Sequence, residues 1–216
     1  MSLTLHYHPL SSYSWKALIP LYENGVPFEP LIVDYADPAS RDAHFELWPM
    51  GKIPVLQDAA RGETVPEASV IIDYLDRYYP GPVRFTPADP DQAWRARLGD
   101  RFFDLHIQTH VQKIVGDRIR PAGQRDPYGV ADARAQLTAA LAYAENEAVK
   151  RTWFSGESFG LADFAAAPAL YYADRVQPLG AGQGAVRAYL DRLTARPSFA
   201  RVLKEAEPYF AMFPSG

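Results

Sequence analysis

The sequence has 216 residues, of which 48% are hydrophobic and 22% are charged, with a formal net charge of −4. These values are typical of a soluble globular protein with one large or two small domains, and an acidic balance argues against a nucleic-acid ligand. The absence of cysteine excludes disulfides, thiolate metal sites and a cysteine nucleophile supplied by the protein itself.

The sequence also lacks the features of a membrane or exported protein. No apolar run approaches the roughly 18 residues that a membrane-spanning helix requires. The opening MSLTLHYHPL has neither a basic start nor a long apolar core, unlike a secretory signal. We therefore expect a cytoplasmic protein without a membrane partner.

The N-terminal part alternates strand and helix patterns. Leu3–His8 alternates apolar and polar residues and predicts a strand, and apolar residues at helical spacing predict a helix over Ser12–Asn24. Pro20 inside that helix predicts a kink. The further predicted elements are a strand at Phe28–Tyr35, a loop and short helix at Pro38–Trp48, strands at Ile53–Asp58 and Glu63–Val65, and a helix at Glu67–Tyr79. The order β-α-β-α-β-β-α indicates an α/β domain.

The last of these helices has a clear predicted core face. Its apolar stripe consists of Val70, Ile71, Tyr74, Leu75 and Tyr78. Residues three and four apart lie on one face of a helix, so these side chains form one apolar face.

A proline-rich break separates this part from a helical remainder. Pro80–Pro90 contains four prolines and predicts a linker. Helices are then predicted at Asp91–Asp117, Val130–Arg151, Leu161–Val176, Gly184–Ala195 and Ser198–Glu207. We therefore predict a domain at 1–80, a linker at 81–90 and an all-helical domain at 91–216.

The long helix Asp91–Asp117 is apolar on two sides. One stripe consists of Leu98, Phe102, Leu105 and Thr109, and the other of Phe103, Ile107, Val111 and Ile114. Such a helix is typically central to a bundle or contacts a partner.

Three short stretches carry potential chemistry. HPLSSYSWKAL places four consecutive hydroxyls, Ser11 to Ser14, at the start of the first helix. They could donate hydrogen bonds to a ligand, or they could cap the helix, for which Ser12 or Ser14 is well placed. In GKIPVL, a cis Ile53-Pro54 bond would leave the backbone of Ile53 free to pair with an extended peptide. In VPEASV, Glu67 begins a helix, where it could match the helix dipole or receive the ammonium group of a ligand.

Together these motifs resemble the cytosolic glutathione transferase family. The resemblance covers the whole chain and includes GVPFE after the first helix and the terminal ARPSFARVLKEA. It implies a thioredoxin-like N-terminal domain that binds glutathione, followed by a helical domain that supplies the pocket for a small apolar electrophile. It also implies a homodimer, and glutathione as co-substrate with no metal and no further cofactor.

The resemblance also implies roles for particular residues. Ile53, preceding Pro54, would pair through its backbone with the cysteinyl part of glutathione, and Glu67 would hold the γ-glutamyl end. Lys52 could meet the glycyl carboxylate. One hydroxyl at the start of the first helix would stabilise the glutathione thiolate, which is the nucleophile.

The choice among the hydroxyls stays open at this point. Counting back from GVPFE, Ser11 matches the serine of theta-like members, whereas counting from Lys16 selects Ser12. SSYSWK also resembles the zeta-like SSCSWR, with Tyr13 in the position of the cysteine, and the loss of that cysteine argues against isomerase activity. The candidates are therefore Ser11, Ser12 and Tyr13.

Two positions depart from the family pattern. Many members have Glu-Ser at the third helix, but this chain has Glu67-Ala68, so only the backbone N–H of Ala68 remains to bind the γ-glutamyl carboxylate. Ser69 lies about 100° further round the helix and is a poor substitute. In GESFGLADF, Gly160 replaces the usual Ser or Thr cap before Asp163, which we interpret as a structural motif rather than a chemical one.

The remaining polar residues have weaker interpretations. His106 and His110 have the spacing of metal ligands but no convincing third ligand, so we expect no metal. Asp100 and Asp104 share the long helix without an assignable role, and Arg118 and Arg120 could either bind an anion or be solvated. The aromatic tail, Pro208–Gly216, could cover a pocket or pack against the core.

The sequence thus predicts a glutathione transferase that attacks apolar electrophiles, with reduction of organic hydroperoxides as a further activity. The alternative is a non-catalytic glutathione-binding or scaffold protein of the same fold. A glutathione-dependent isomerase or dehalogenase is a third hypothesis.

Overall fold

A computed structural model describes residues 2–214 of the chain. The N-terminal part holds a four-stranded sheet in the order β2-β1-β3-β4, with β2 parallel to β1 and the other pairs antiparallel. The strands are β1 (Leu3–Tyr7), β2 (Glu29–Ile32), β3 (Val55–Asp58) and β4 (Glu63–Pro66). The helices of this part are α1 (Ser12–Glu23), α2 (Pro38–Leu47) and α3 (Ala68–Tyr78). The predicted order β-α-β-α-β-β-α is confirmed.

Helix α1 forms the contact between the two halves of the molecule. Its apolar residues Trp15, Leu18 and Ile19 are buried, and Pro20 lies inside the helix. The Trp15 ring stacks on Tyr172 with 4.7 Å between centroids. Because α1 packs against α3 on one side and against helices of the second half on the other, its N-terminus is held between both halves.

The predicted stripe of α3 is partly wrong. Val70 and Tyr78 are exposed, and the buried face consists of Ala68, Ile71, Ile72 and Leu75. The predicted and observed faces share Ile71 and Leu75, so the predicted face is rotated about the helix axis by part of a turn relative to the observed one. The error arose because both side chains are apolar and fit the helical spacing of the stripe: Val70 lies four residues before Tyr74, and Tyr78 lies three residues after Leu75.

The segment between the two halves is irregular, as its proline content predicts. It is also anchored to both halves, which its composition does not predict. The backbone N–H groups of Phe85 and Thr86 donate to the Asp76 carboxylate at 3.0 and 3.2 Å. The Phe85 ring is buried and meets Phe164 edge-on at 5.2 Å. An aromatic anchor and two hydrogen bonds therefore fix this segment against both halves.

The helical half begins with the predicted long helix, in which a π-helical segment separates two α-helical parts. It consists of α4 (Pro90–Phe102), a π-helical segment (Phe103–Gln108) and α5 (Thr109–Arg118). The stripe of Phe103, Ile107, Val111 and Ile114 is fully buried. On the other stripe, Leu98 and Leu105 are 56% and 51% exposed, so only one stripe belongs to the core.

The remaining helices close the bundle around α7. They are α6 (Pro127–Ala148), α7 (Leu161–Val176), α8 (Gly184–Thr194) and α9 (Pro197–Ala206), followed by a 3₁₀ turn at Glu207–Met212. The bounds of α7 agree with the prediction, and α6 begins earlier than predicted because Asp126 caps it ahead of Pro127. No helix in the described residues has both the length and the apolar character needed to cross a membrane.

The buried acidic residue Asp163 fixes the start of helix α7. The Asp163 carboxylate accepts hydrogen bonds from the backbone N–H groups of Phe154, Ser155 and Gly160 at 2.7, 3.2 and 3.0 Å. The Tyr189 hydroxyl donates to the same carboxylate at 2.5 Å. These contacts serve folding, as the sequence predicts, and compensate for the missing side chain at Gly160.

The aromatic tail packs against the core. Phe213 stacks on Tyr172 at 5.3 Å between centroids, and Phe210 stacks on Tyr171 at 6.1 Å. The sequence analysis left open whether this tail covers a pocket or packs against the core, and these contacts support packing. Ser215 and Gly216 lie outside the described residues.

Candidate functional site

A cleft of about 540 Å³ lies beside the sheet, where the starts of α1 and α3, the loop before β3 and the long helix converge. Its lining residues are Ser11, Tyr13, Tyr35, Gly51, Lys52, Ile53, Pro54, Glu67, Ala68, Arg101, Asp104, Leu105 and Gln112. The structure therefore brings together every residue predicted for the site except Ser12.

Ser11, not Ser12 or Ser14, caps helix α1. Its hydroxyl oxygen accepts a hydrogen bond from the Ser14 backbone N–H at 3.2 Å. A hydroxyl has one donor hydrogen and two acceptor lone pairs, so capping leaves the Ser11 hydrogen available to the cavity. Ser12 is buried and does not line the cavity, and the Ser14 hydroxyl accepts from the His8 backbone at 3.4 Å. The assignment of the cap to Ser12 or Ser14 was therefore wrong.

The Tyr13 phenol lies in the same cavity, close to several charges of the second half. Burial raises the pKa of the Tyr13 hydroxyl, and the nearby carboxylate of Asp104 raises it further. The phenol consequently stays protonated at neutral pH and can act as a hydrogen-bond donor there.

The loop before β3 has the backbone geometry predicted from GKIPVL. The Ile53-Pro54 peptide bond is cis, which confirms that prediction. Ladder pairing of β3 starts at Val55, so Ile53 lies outside the sheet at the edge of the cavity. The backbone of Ile53 is thus positioned to pair with a ligand.

The Lys52 backbone is held by His44, a residue that no sequence motif singles out. The Lys52 side chain is exposed at the cavity rim, and its backbone carbonyl accepts a hydrogen bond from the buried His44 Nε2 at 3.0 Å. The Tyr35 hydroxyl likewise donates to the Gly51 carbonyl at 2.9 Å. Both contacts fix the loop that carries Ile53.

Glu67 adopts an unusual backbone conformation at the start of α3. Its φ is 70°, a region that non-glycine residues rarely occupy and that costs about 1–3 kcal/mol. Its side chain forms no capping hydrogen bond and is exposed, so the carboxylate is free to meet a ligand. Ala68 follows as the first residue of α3, with its backbone N–H at the helix terminus.

A buried ion cluster behind the cavity is the main feature that the sequence analysis missed. Lys16, in α1, is 1% exposed, and its Nζ lies 2.6 Å from Asp100 Oδ1, 2.7 Å from Asp104 Oδ2 and 2.8 Å from Ser69 Oγ. Arg101 also contacts Asp100 and Asp104. Two cations thus balance two carboxylates at the contact between the halves.

The electrostatics of this cluster are dominated by burial. Burial raises the pKa of Asp104, whereas the charge of Lys16 lowers it. A signal for the cluster was present in the sequence, because Lys16 lies next to Trp15 on a helix with few polar residues, and Asp100 and Asp104 are one helical turn apart. The pairing of residues 84 or more positions apart could not be predicted from one sequence.

The weaker candidates do not join this site. His106 stacks on Phe102 with 5.7 Å between ring centroids, and in residues 2–214 no group of three or more His, Asp or Glu side chains could hold a metal ion. Arg118 donates to the Pro214 carbonyl at 3.1 Å. Ser69 is directed to the ion cluster, where its hydroxyl donates to Asp100 Oδ2 at 2.9 Å, as its predicted orientation on the helix implies.

Comparison with known proteins identifies the family. Residues 5–83 match the model of the glutathione S-transferase N-terminal domain, and residues 102–197 match that of the C-terminal domain. This chain belongs to the glutathione S-transferase family. The predictions of the family, the thioredoxin-like fold and the enzyme class are thereby confirmed.

Individual relatives of this transferase-family chain differ in what their names describe. Glutathione S-transferase GstB of Escherichia coli is 28% identical over 87% of this chain and 91% of that protein. FtsZ-localized protein A of Caulobacter vibrioides is also 28% identical, over 96% of this chain and 93% of that protein. A glutathione S-transferase from Methylobacterium radiotolerans, solved in complex with glutathione sulfonate, superimposes with a TM-score of 0.78 at 30% identity and covers 93% of both chains.

Proposed function

We propose that this protein is a cytoplasmic, homodimeric glutathione transferase in which the Ser11 hydroxyl activates the glutathione thiol for attack on small apolar electrophiles. The observation that carries the proposal is the single cavity that joins Ser11 and Tyr13 to the cis-proline loop and to Glu67 and Ala68. The related Methylobacterium structure holds a glutathione derivative, which supports a ligand of the same class here.

Glutathione binding is assigned to two backbone features and two side chains that line the cavity. The backbone of Ile53, beside Pro54, pairs with the cysteinyl residue, and Lys52 meets the glycyl carboxylate. Glu67 binds the ammonium group of the γ-glutamyl end, while the Ala68 N–H donates to its carboxylate. This order follows the cavity from the loop before β3 to the start of α3.

One hydroxyl is sufficient for thiol activation in energetic terms. Lowering the pKa of a thiol from about 8.5 to about 6.5 requires about 2.7 kcal/mol of preference for the thiolate. A hydrogen bond to a charged group contributes about 1.5–3 kcal/mol, and the N-terminus of α1 adds about 0.3–1 kcal/mol. Ser11 can supply this bond because its hydrogen is not used in capping.

The bond-forming step changes no side chain of the protein chemically. The thiolate sulfur forms a bond to the electrophilic carbon, the leaving group departs with the bonding electrons, and Ser11 keeps its proton throughout. With an organic hydroperoxide, the thiolate sulfur takes the terminal oxygen as the O–O bond breaks, and the remaining alkoxide takes a proton and leaves as the alcohol. A second glutathione then converts the sulfenic acid of the first to the disulfide and water.

The homodimer in the proposal is supported by an unpartnered apolar face. Trp94, Leu98 and Tyr143 are each at least 50% exposed and, with Phe102 and Phe154, line a depression of about 180 Å³ between α4 and α6. Leu98 and Phe102 belong to the stripe of the long helix that does not join the core. A second copy of the chain would cover it and explain why the helix is apolar on two sides.

The decisive test is the ultraviolet absorbance of bound glutathione thiolate as a function of pH. We expect wild type to show thiolate near neutral pH, Ser11→Ala to lose it, and Ser12→Ala to retain it. Turnover of an activated aryl halide and of an organic hydroperoxide then distinguishes the two substrate classes. Glutathione binding without any thiolate signal in wild type would overturn the mechanism.

A non-catalytic role is the second candidate, favoured by two specific observations. The related FtsZ-localized protein A carries a name that describes localisation rather than catalysis. Ala68 also removes a hydroxyl that many family members use for glutathione. Tight glutathione binding with no turnover of any electrophile or hydroperoxide would favour this role over the enzyme.

A further inference from the structure

We propose that Arg101, from the helical half, binds the γ-glutamyl carboxylate of glutathione in this protein and thereby replaces the hydroxyl that Ala68 lacks. The proposal rests on the proposed function, because it assumes that glutathione occupies the cavity. It assigns to the second half of the same chain a direct part in recognising the end of the ligand furthest from the thiol.

The inner part of the site has walls of both charges. A smaller cavity of about 170 Å³ shares five lining residues with the main one. These shared residues are Tyr13, Glu67, Ala68, Arg101 and Asp104. The γ-glutamyl end of glutathione is a zwitterion, so it requires one anionic and one cationic partner close together. Glu67 is the exposed anion there, and Arg101 is the cation.

Arg101 is oriented by the protein but not fully used by it. Its Nη2 donates to Ser69 Oγ at 3.2 Å and to Asp104, and its Nε lies 3.3 Å from Asp100 Oδ2. Within residues 2–214, Nη1 has no protein acceptor, and the side chain is 51% exposed. A guanidinium held on one edge can present its other donors to a carboxylate in fixed geometry.

The charge balance of the ion cluster permits this additional contact. Lys16 and Arg101 together neutralise Asp100 and Asp104, so the cluster is stable without ligand. A zwitterionic ligand end adds no net charge when its ammonium meets Glu67 and its carboxylate meets Arg101. A ligand lacking the carboxylate would still pair its ammonium with Glu67, but it would offer no acceptor to the free donors of Arg101.

The test compares two ligands in two proteins by titration calorimetry. The ligands are glutathione and γ-aminobutyryl-cysteinylglycine, which lacks only the γ-glutamyl carboxylate. We expect wild type to prefer glutathione by at least about tenfold, since a hydrogen bond to a charged group contributes about 1.5–3 kcal/mol. In Arg101→Gln this preference should fall to a few-fold. If Arg101→Gln weakens both ligands equally, the role of Arg101 is structural and the proposal is wrong.

Three further variants complete the experiment. Arg101→Lys keeps the cluster neutral and tests the proposal if Arg101→Gln does not fold; we expect it to lose part of the preference. Ala68→Ser combined with Arg101→Gln should restore the preference, because it supplies the missing hydroxyl. Arg95→Gln, on the same helix but lining a different cavity, should behave as wild type.

The two proposals fail in distinguishable ways. If wild type binds neither ligand, glutathione recognition itself is wrong and both proposals fall. If wild type binds glutathione and Arg101→Gln keeps the full preference, the assignment of Arg101 alone is overturned.

Discussion

Ser11 has two roles that a single substitution can separate, because it caps α1 as an acceptor and is proposed to bind the thiolate as a donor. Replacing a serine cap by alanine costs about 0.5–2 kcal/mol, but replacing it by glycine costs only a few tenths. Ser11→Gly therefore removes the hydroxyl while largely preserving the fold. This distinction makes glycine the more informative substitution.

We expect Ser11→Gly to raise the pKa of the bound glutathione thiol by about 1–2 and to reduce kcat/KM at neutral pH by about tenfold to a hundredfold. The measurements are thiolate absorbance against pH and steady-state kinetics, with thermal unfolding as the stability check. Ser12→Ala, at a buried position outside the cavity, should keep the thiol pKa of wild type. An unchanged thiol pKa in Ser11→Gly would eliminate Ser11 and leave the Tyr13 phenol as the candidate.

Loss of the buried Lys16 side chain should strongly reduce stability. Lys16→Met fills a similar volume but leaves the buried carboxylates of Asp100 and Asp104 facing each other with Arg101 alone. Removing one partner of a buried ion pair costs about 3–5 kcal/mol. Urea unfolding should show this loss, whereas Lys150→Met, at an exposed pair with Glu147, should change stability by less than about 1 kcal/mol.

The pH dependence gives a second readout for Lys16→Met. Burial already raises the pKa of Asp104, and loss of Lys16 removes an opposing influence. A group whose pKa is higher in the folded state contributes stability below that pKa and loses it as pH rises. The deficit of the variant relative to wild type should therefore shrink from neutral towards mildly acidic pH. A deficit that is constant with pH would indicate a packing defect instead.

At the scale of elements, Asp163 shows how one side chain replaces a missing cap. Its carboxylate is the acceptor for three buried backbone N–H groups ahead of and at the start of α7. Asp163→Ala would leave these donors unsatisfied, at about 1–3 kcal/mol each, though relaxation reduces the sum. We expect a loss of about 3–5 kcal/mol in urea unfolding.

Asp163→Asn is the matched control, since its amide oxygen can still accept from the backbone; it should lose less stability than the alanine variant. Glutathione affinity of the folded fraction should stay at the wild-type value in both, because Asp163 does not line the cavity. A large change in affinity with little change in stability would contradict the structural role.

Elements that depend on local sequence were predicted well. The bounds of α7 and the cis Ile53-Pro54 bond follow from local patterns, and both agree with the structure. The rotation of the α3 face at Val70 and Tyr78 was missed because apolar composition does not reveal which flank of a helix meets its neighbour. The choice of cap in α1 was missed for a similar reason, since Ser11 and Ser12 differ only in where the first helical turn begins.

At the scale of the molecule, the parts that could not be predicted are contacts between distant segments. Lys16 with Asp100 and Asp104, and the Tyr172 hydroxyl with the Leu10 carbonyl at 2.8 Å, join α1 and its preceding loop to the helical half. Each pairing depends on how two separately predicted units pack. The site inherits this dependence, because Arg101 and Ser11 reach one cavity only when the halves are assembled.

The last prediction concerns the apolar face of α4 and α6. In a dimer that covers Trp94, Leu98 and Tyr143, a Leu98→Arg substitution would bury a charge without a partner, which is strongly unfavourable. We expect light scattering to show a dimer for wild type and a monomer for this variant at the same concentration. Met212→Arg, at a residue 65% exposed in the 3₁₀ turn, should leave the dimer intact. Thiolate absorbance serves as the control that the Leu98→Arg variant remains folded and binds glutathione, because Leu98 does not line the glutathione cavity. A monomeric wild type, or a dimeric Leu98→Arg, would show that a second copy of the chain does not cover this face.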